Sequence, residues 1–98
     1  MKLTATAYCQ SGKTRAGVQT RPGIVAADPR VVRLGSSIEI IAPDRYAGVY
    51  EVMDTGRAIK GRRLDLYMPN CVRAKRFGRQ QVTVRLLDRE AVVADGQP

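Results

Sequence analysis

About six short apolar runs, broken at near-regular intervals by Gly, Pro and Asp, confine this chain to a small, mainly β architecture. Over residues 2–8, Leu3, Ala5 and Ala7 alternate with Thr4, Thr6 and Tyr8, and residues 81–87 alternate as cleanly; both predict half-buried strands. Runs over 24–27, 37–42, 48–53 and 64–68 predict four more. Asp28-Pro29 ends one of them, the proline biasing Asp28 toward an extended backbone. Residues 31–34 fit either one helical turn or an extended link. A single helix is predicted over 71–77, capped by Asn70 and stopped at Gly78, with Cys71, Val72, Ala74 and Phe77 on its buried side. Strands and helices do not alternate regularly, which favours a small closed barrel over a doubly wound sheet. Closure also removes the exposed edges that a chain of 98 residues has little material to cover. The barrel is expected over 1–88, followed by a weakly patterned tail over 89–98.

Within this pattern the stretch 51–68, EVMDTGRAIKGRRLDLYM, is unusual. It holds Asp54 and Asp65, eleven residues apart, each against an apolar strand-like run, with a cationic RAIKGRR connection between them. Strands disfavour aspartate. The ordinary explanation is a turn, and Asp54-Thr55-Gly56 has turn composition. Asp28 also abuts an apolar run, whereas Asp44, Asp88 and Asp95 fall at turns or after the last strand. In a closed barrel, Asp28, Asp54 and Asp65 would be able to converge on one rim. The polar segment from Cys9 to Gly23 reads as a long loop, of the kind that in small domains is functional or disordered.

Seventeen basic against nine acidic residues give a net charge of +8, which favours a polyanionic partner. There is no Trp and no basic helix interleaved with aromatics, so specific nucleic-acid readout is not expected. No apolar stretch approaches membrane-spanning length, and the first strand starts too early for a leader, so any export signal would lie outside this chain. The chain has no histidine and only Cys9 and Cys71, which argues against a zinc site and rules out a Cys–His nucleophile. The two cysteines fit a disulfide or two buried thiols equally well.

The motifs make a wider resemblance specific. TATAYC at 4–9, the turn from Thr14 to Gly17, GIVAADP at 23–29, LGSSIEI at 34–40, GVYEVMDTGRAIKGRRLDLYM at 48–68 and AKRFGRQQVTV at 74–84 run almost the whole chain. Together they resemble the 3D domain, the family named for three aspartates and related to the stationary-phase survival proteins and the barrel of MltA-type lytic transglycosylases. Arg33 and Ser36 depart from the family's usual proline and threonine, and neither touches the acids. The resemblance implies a six-stranded double-psi β-barrel with one or two short helices, exported and acting on peptidoglycan. It also permits a Cys9–Cys71 bridge, since the family's first strand and helix are able to approach each other.

The activity implied is cleavage between N-acetylmuramic acid and N-acetylglucosamine to a 1,6-anhydro sugar, with no cofactor and no metal. An ordinary glycosidase needs two carboxylates roughly 5–10 Å apart. Here the sugar's own C6 hydroxyl attacks, so one acid suffices as proton donor and then acceptor. By motif position that acid is Asp65, with its pKa raised by apolar neighbours and a like charge. Asp54 and Asp28 would stay ionised and support it, and Thr14, Lys60 and Gly56 would contact substrate. Two alternatives remain: a non-catalytic module binding wall polysaccharide, and a retroviral-type aspartic protease carrying Asp54-Thr55-Gly56. Arg57 after that triplet, where such proteases have alanine, weighs against the second.

Overall fold

The computed structural model describes residues 1–87, and the tail expected over 89–98 lies outside the described residues. Six strands, β1 (Lys2–Tyr8), β2 (Ile24–Ala27), β3 (Ser37–Ala42), β4 (Gly48–Asp54), β5 (Arg63–Tyr67) and β6 (Gln80–Leu86), close into one barrel in the order β1-β5-β2-β4-β3-β6. A 3₁₀ turn, η1 (Asp44–Tyr46), links β3 to β4, and α1 (Cys71–Phe77) links β5 to β6. The pairs β1–β5 and β2–β4 are parallel and the other four antiparallel. The expected mainly β barrel is therefore the observed one, with strand ends shifted by a residue at β4, β5 and β6.

Alternation fills the interior. Leu3 and Ala5, Val25 and Ala27, Ile38 and Ile40, Leu64 and Leu66, and Val82 and Val84 all point inward, joined by Val52 of β4. Each larger aliphatic side chain here contributes roughly 1.5–3 kcal/mol by leaving water. β2 differs from the rest: all four residues, Ile24 to Ala27, are buried, so both faces of this strand are covered. Continuous burial of that kind belongs to a strand wedged between others and overlaid from outside.

The connections are ordered by backbone geometry. The predicted cap holds, Asn70 Oδ1 accepting from Arg73 N at 3.0 Å, and Gly78 takes a φ of 64°. The buried face of α1 is narrower than expected. Ala74 and Phe77 are buried, but Cys71 is exposed and Val72 is 61% exposed, because one i, i+3 pair is enough to seat a two-turn helix. Residues 31–34 form a turn, Val31 and Val32 both donating to the Asp28 carbonyl. The 9–23 loop is neither open nor shapeless. It folds back on itself through Lys13 and Gln19 and docks on the end of β4, where Ala16 N donates to Met53 O.

Cys9 and Cys71 form a disulfide, Cα–Cα 5.1 Å, between the end of β1 and the first residue of α1. The bridge spans a sequence separation of 62 residues. Loop-closure entropy of that length corresponds to about 4 kcal/mol withheld from the unfolded chain. Denaturant titration with and without a thiol reductant is expected to show a loss of that order. The same titration on Cys71→Ser should show a matching loss and no further effect of reductant.

Candidate functional site

The acids of β4 and β5 are brought together through β2. On β5, Leu64 and Leu66 point into the core, so Asp65 between them faces outward. Asp65 lies opposite Thr6 of β1 on one side and Ala26 of β2 on the other. Ala26 in turn lies opposite Asp54 of β4. Strict alternation would not give this. Val25 pairs with Val52, so regular pairing would set Ala26 against Met53 and turn Asp54 toward the core. The β2–β4 register instead shifts between Val25 and Ala26, and the extra residue rotates Asp54 onto the outer face. The result is a row across four strands, Thr6, Asp65, Ala26, Asp54, with the two acids two strand spacings apart, roughly 10 Å between Cα atoms. Only a methyl group stands between them, since the central position is alanine.

Each carboxyl has its own environment. Asp65 is half-buried, and its Oδ1 accepts from Thr6 Oγ1 at 3.0 Å. Burial raises its pKa, and the charge of Asp54 adds to that, against the lowering effects of the Thr6 hydrogen bond and Arg63. Thr6 Oγ1 also lies 3.4 Å from the Leu64 carbonyl, so one hydroxyl can donate to ionised Asp65, or turn to Leu64 and accept from protonated Asp65. Asp54 Oδ1 accepts two backbone N–H groups, Arg15 at 3.0 Å from the docked 9–23 loop and Thr55 at 2.9 Å. The Asp54 carboxylate thus fixes the loop that borders it.

Asp28 does not join this row. Only 2% exposed, it accepts from Gly61 N at 2.7 Å, Arg30 N at 3.0 Å and the Arg30 guanidinium at 3.3 Å. These bonds, Gly61's first, hold its carboxyl far below the usual range. Convergence of all three acids on one open rim is therefore corrected to two: Asp28 is a buried clamp tying the end of β2 to the 55–62 connection. Gly61 serves that clamp with a φ of 69°, a left-handed backbone that glycine tolerates.

The other expected contacts divide similarly. Lys60 is exposed, with no hydrogen bond or ion pair among the described residues. Gly56 carries Ile59 against it: a Cβ there would meet Ile59 Cγ1 at 3.1 Å, so its small size serves packing of the connection. Thr14 is buried, its Oγ1 accepting from Val18 N at 3.3 Å, and it shapes the turn whose next residue holds Asp54.

Tyr8 is the residue that strand reading passed over. Two positions beyond Thr6 on the same outward face, its ring meets Tyr67 at 5.4 Å and is followed directly by the bridged Cys9. Its hydroxyl is buried and has no hydrogen-bond partner among the described residues. Burial first, then Asp54 and Asp65, push its pKa up to about 12. It is therefore a proton-bearing donor beside both acids. The alternation of 2–8 placed Tyr8 on this face, but nothing in it marked the neighbouring acids. Among the described residues, no group of three or more His, Cys, Asp or Glu is arranged to hold a metal ion, and no helix is long and apolar enough to cross a membrane.

Asp65 and Asp54 thus stand on the two strands that flank β2, with Asp28 buried at the end of β2 itself. The chain belongs to the 3D domain family. The family's model matches residues 23–88, which include all three aspartates, Gly56 and Lys60. In Bacillus subtilis strain 168 the chain is 33% identical over 97 residues to YocH, a cell wall-binding protein, covering 90% of this chain and 32% of YocH. It is equally similar over the same length to YabE, provisionally named a cell wall shaping protein, covering 23% of it. YorM, an uncharacterized protein derived from the SPbeta prophage, is 34% identical over 89 residues, with 37% of its length covered. The chain thus spans between 23% and 37% of the length of these relatives.

The clamp and the site acid respond to pH with opposite sign. The folded pKa of Asp28 lies below its unfolded value, so its contribution is present above about pH 4 and is lost as pH falls further. Asp28→Asn is expected to cost about 2 kcal/mol at neutral pH. The gap in melting temperature to the native protein should close progressively below pH 4. The folded pKa of Asp65 is raised, so burial of its charged form opposes folding at neutral pH. Asp65→Asn is expected to melt at or above the native temperature at pH 7, in the same calorimetric series.

Proposed function

We propose that this 3D domain is a peptidoglycan lytic transglycosylase, with Asp65 as its single general acid and base. The observation that carries the reading is the state of Asp65: an outward carboxyl on a strand, half-buried, raised in pKa, with the Asp54 charge two strands away. Protonated Asp65 donates to the glycosidic oxygen as the bond to the anomeric carbon breaks. The resulting carboxylate accepts the proton of the C6 hydroxyl as that oxygen closes onto the anomeric carbon. The proton count returns to its start, and no water is consumed. Asp54 faces the positive charge that develops on the sugar. Thr6 orients Oδ1 of Asp65. Tyr8, its buried hydroxyl held protonated, adds no charge beside the two acids. Asp28 acts through position, fixing the connection that presents Lys60 to the glycan or its peptide stem, while Gly56 and Thr14 shape the two bordering loops. The cell-wall names of YocH and YabE support the substrate class. The same names and the disulfide, which persists in oxidising compartments, support an extracytoplasmic location.

A second reading is favoured by the name of YocH and by the excess of cations: the domain binds wall polymer without cutting it. One digestion separates the two. Purified peptidoglycan treated with the native protein is expected to release muropeptides lighter than hydrolysed ones by one water, read by mass spectrometry. Asp65→Asn should lower the rate by roughly two to four orders of magnitude. The native rate should fall as pH rises through the raised pKa of Asp65, since the ionised form cannot donate. Release of reducing ends would move the reaction to a water nucleophile. Sedimentation with the wall and no release would establish the binding module instead.

A further inference from the structure

Beside α1 and η1 lies a cleft of about 410 Å³, lined by Arg45, Tyr46, Arg73, Arg76, Phe77 and Gln80. It shares no residue with the acid row, although Gln80 pairs with Ala5 of β1, next to Thr6. Its volume falls within the range of ligand pockets, roughly 300–1,000 Å³. The cleft is assembled from separate elements: Arg45 comes from η1, Arg73 and Arg76 from one face of α1. Its floor is fixed. Tyr46 and Phe77 meet edge to face at 4.7 Å, Tyr50 Oη donates to the Tyr46 carbonyl at 2.7 Å, and Gln80 Nε2 donates to the Phe77 carbonyl at 3.0 Å.

What is unusual is the charge. Among the described residues the ion pairs are Arg21–Glu51, Arg30–Asp28 and Arg85–Glu39, so none of the three cleft arginines has a carboxylate partner. Arg45 lies 6.0 Å over the Tyr46 ring, and Asp44 beside it makes no ion pair. Three guanidiniums around one pocket repel one another, and among the described residues no acidic side chain lines it. Guanidinium forks match phosphate oxygens in paired hydrogen bonds, and successive diesters along one polymer offer several such oxygen pairs to three forks.

We infer that this cleft is a binding site for the phosphodiester groups of an anionic wall polymer, separate from the acid row. A single compact pocket suits one thin, flexible phosphate-bearing chain. A duplex would need a stripe of cations matching two backbones. The choice of a wall polymer as the source of phosphate rests on the cell-wall reading above. The cleft shares no residue with the acid row, so the domain would be held on the wall while the glycan is engaged at the acids.

The test is titration of the native protein with purified poly(glycerol phosphate) at low salt, by calorimetry. Arg73→Glu/Arg76→Glu is compared with Arg33→Glu/Arg57→Glu, an exposed pair outside the cleft with the same change in charge. The cleft pair is expected to lose at least about tenfold more affinity and to flatten the salt dependence. Arg73→Gln/Arg76→Gln, a milder change, should show the same order. Equal losses from the two reversed pairs, or no native binding, would overturn the site. Polyglutamate binding as tightly as the phosphate polymer would overturn its phosphate preference, and tighter binding of duplex DNA would overturn the wall polymer as partner. Sedimentation with peptidoglycan stripped of phosphate polymers should be unchanged in the cleft variants. Loss of sedimentation in the cleft variants would overturn the phosphate assignment, whereas failure of the native protein to sediment strikes the cell-wall reading and leaves the cleft result standing.

Discussion

The shift in register between β2 and β4 is the constraint on which the site depends. One residue more on β4 than on β2 sends Asp54 outward instead of into a core of Val, Ile and Leu. A buried unpaired carboxylate there would be strongly unfavourable, so the irregularity and the acid require each other. With it, Asp54 and Asp65 flank the buried Ala26 across β2. β2 is only four residues long, yet it sets the spacing of the two acids because it pairs with both of their strands.

Around that row the chain commits its connections to rigidity. Asp54 gathers the 9–23 loop, Asp28 gathers the 55–62 connection, and the Cys9–Cys71 bridge pins the end of β1 beside Tyr8. The division of labour among the aspartates follows from environment. Asp28 is saturated with donors and stays ionised, which suits a clamp. Asp65 has a single hydroxyl donor and partial burial, which suits a group that must hold and return a proton. Two identical side chains are pushed in opposite directions by what surrounds them.

The strand pattern was legible because alternation is a local property. Leu3 and Ala5 against Thr4 and Thr6 announce their faces without knowledge of any partner, and Asn70 announces a cap in the same way. Val72 was misjudged for a related reason: apolar spacing in a two-turn helix is compatible with more than one buried face, and the neighbour selects it. The motifs singled out Asp28, Asp54 and Asp65 but not their separation into one clamp and two site acids. That depends on Gly61 and Arg30 closing over Asp28, contacts between distant segments. Tyr8 was visible only as a strand residue, because its significance lies in two acids on other strands.

The sequence by itself determined the six strands, the helix and its cap, the family, and the identity of the acids, since each rests on residue order, periodicity or a contiguous motif. Only the tertiary structure decided which face Asp54 occupies, which aspartate is buried, that the two cysteines are joined, and that Arg45, Arg73 and Arg76 line one cleft. Those outcomes turn on strand register and on contacts between residues far apart in the chain. Register is set by the packing of a whole barrel, and no single segment carries it.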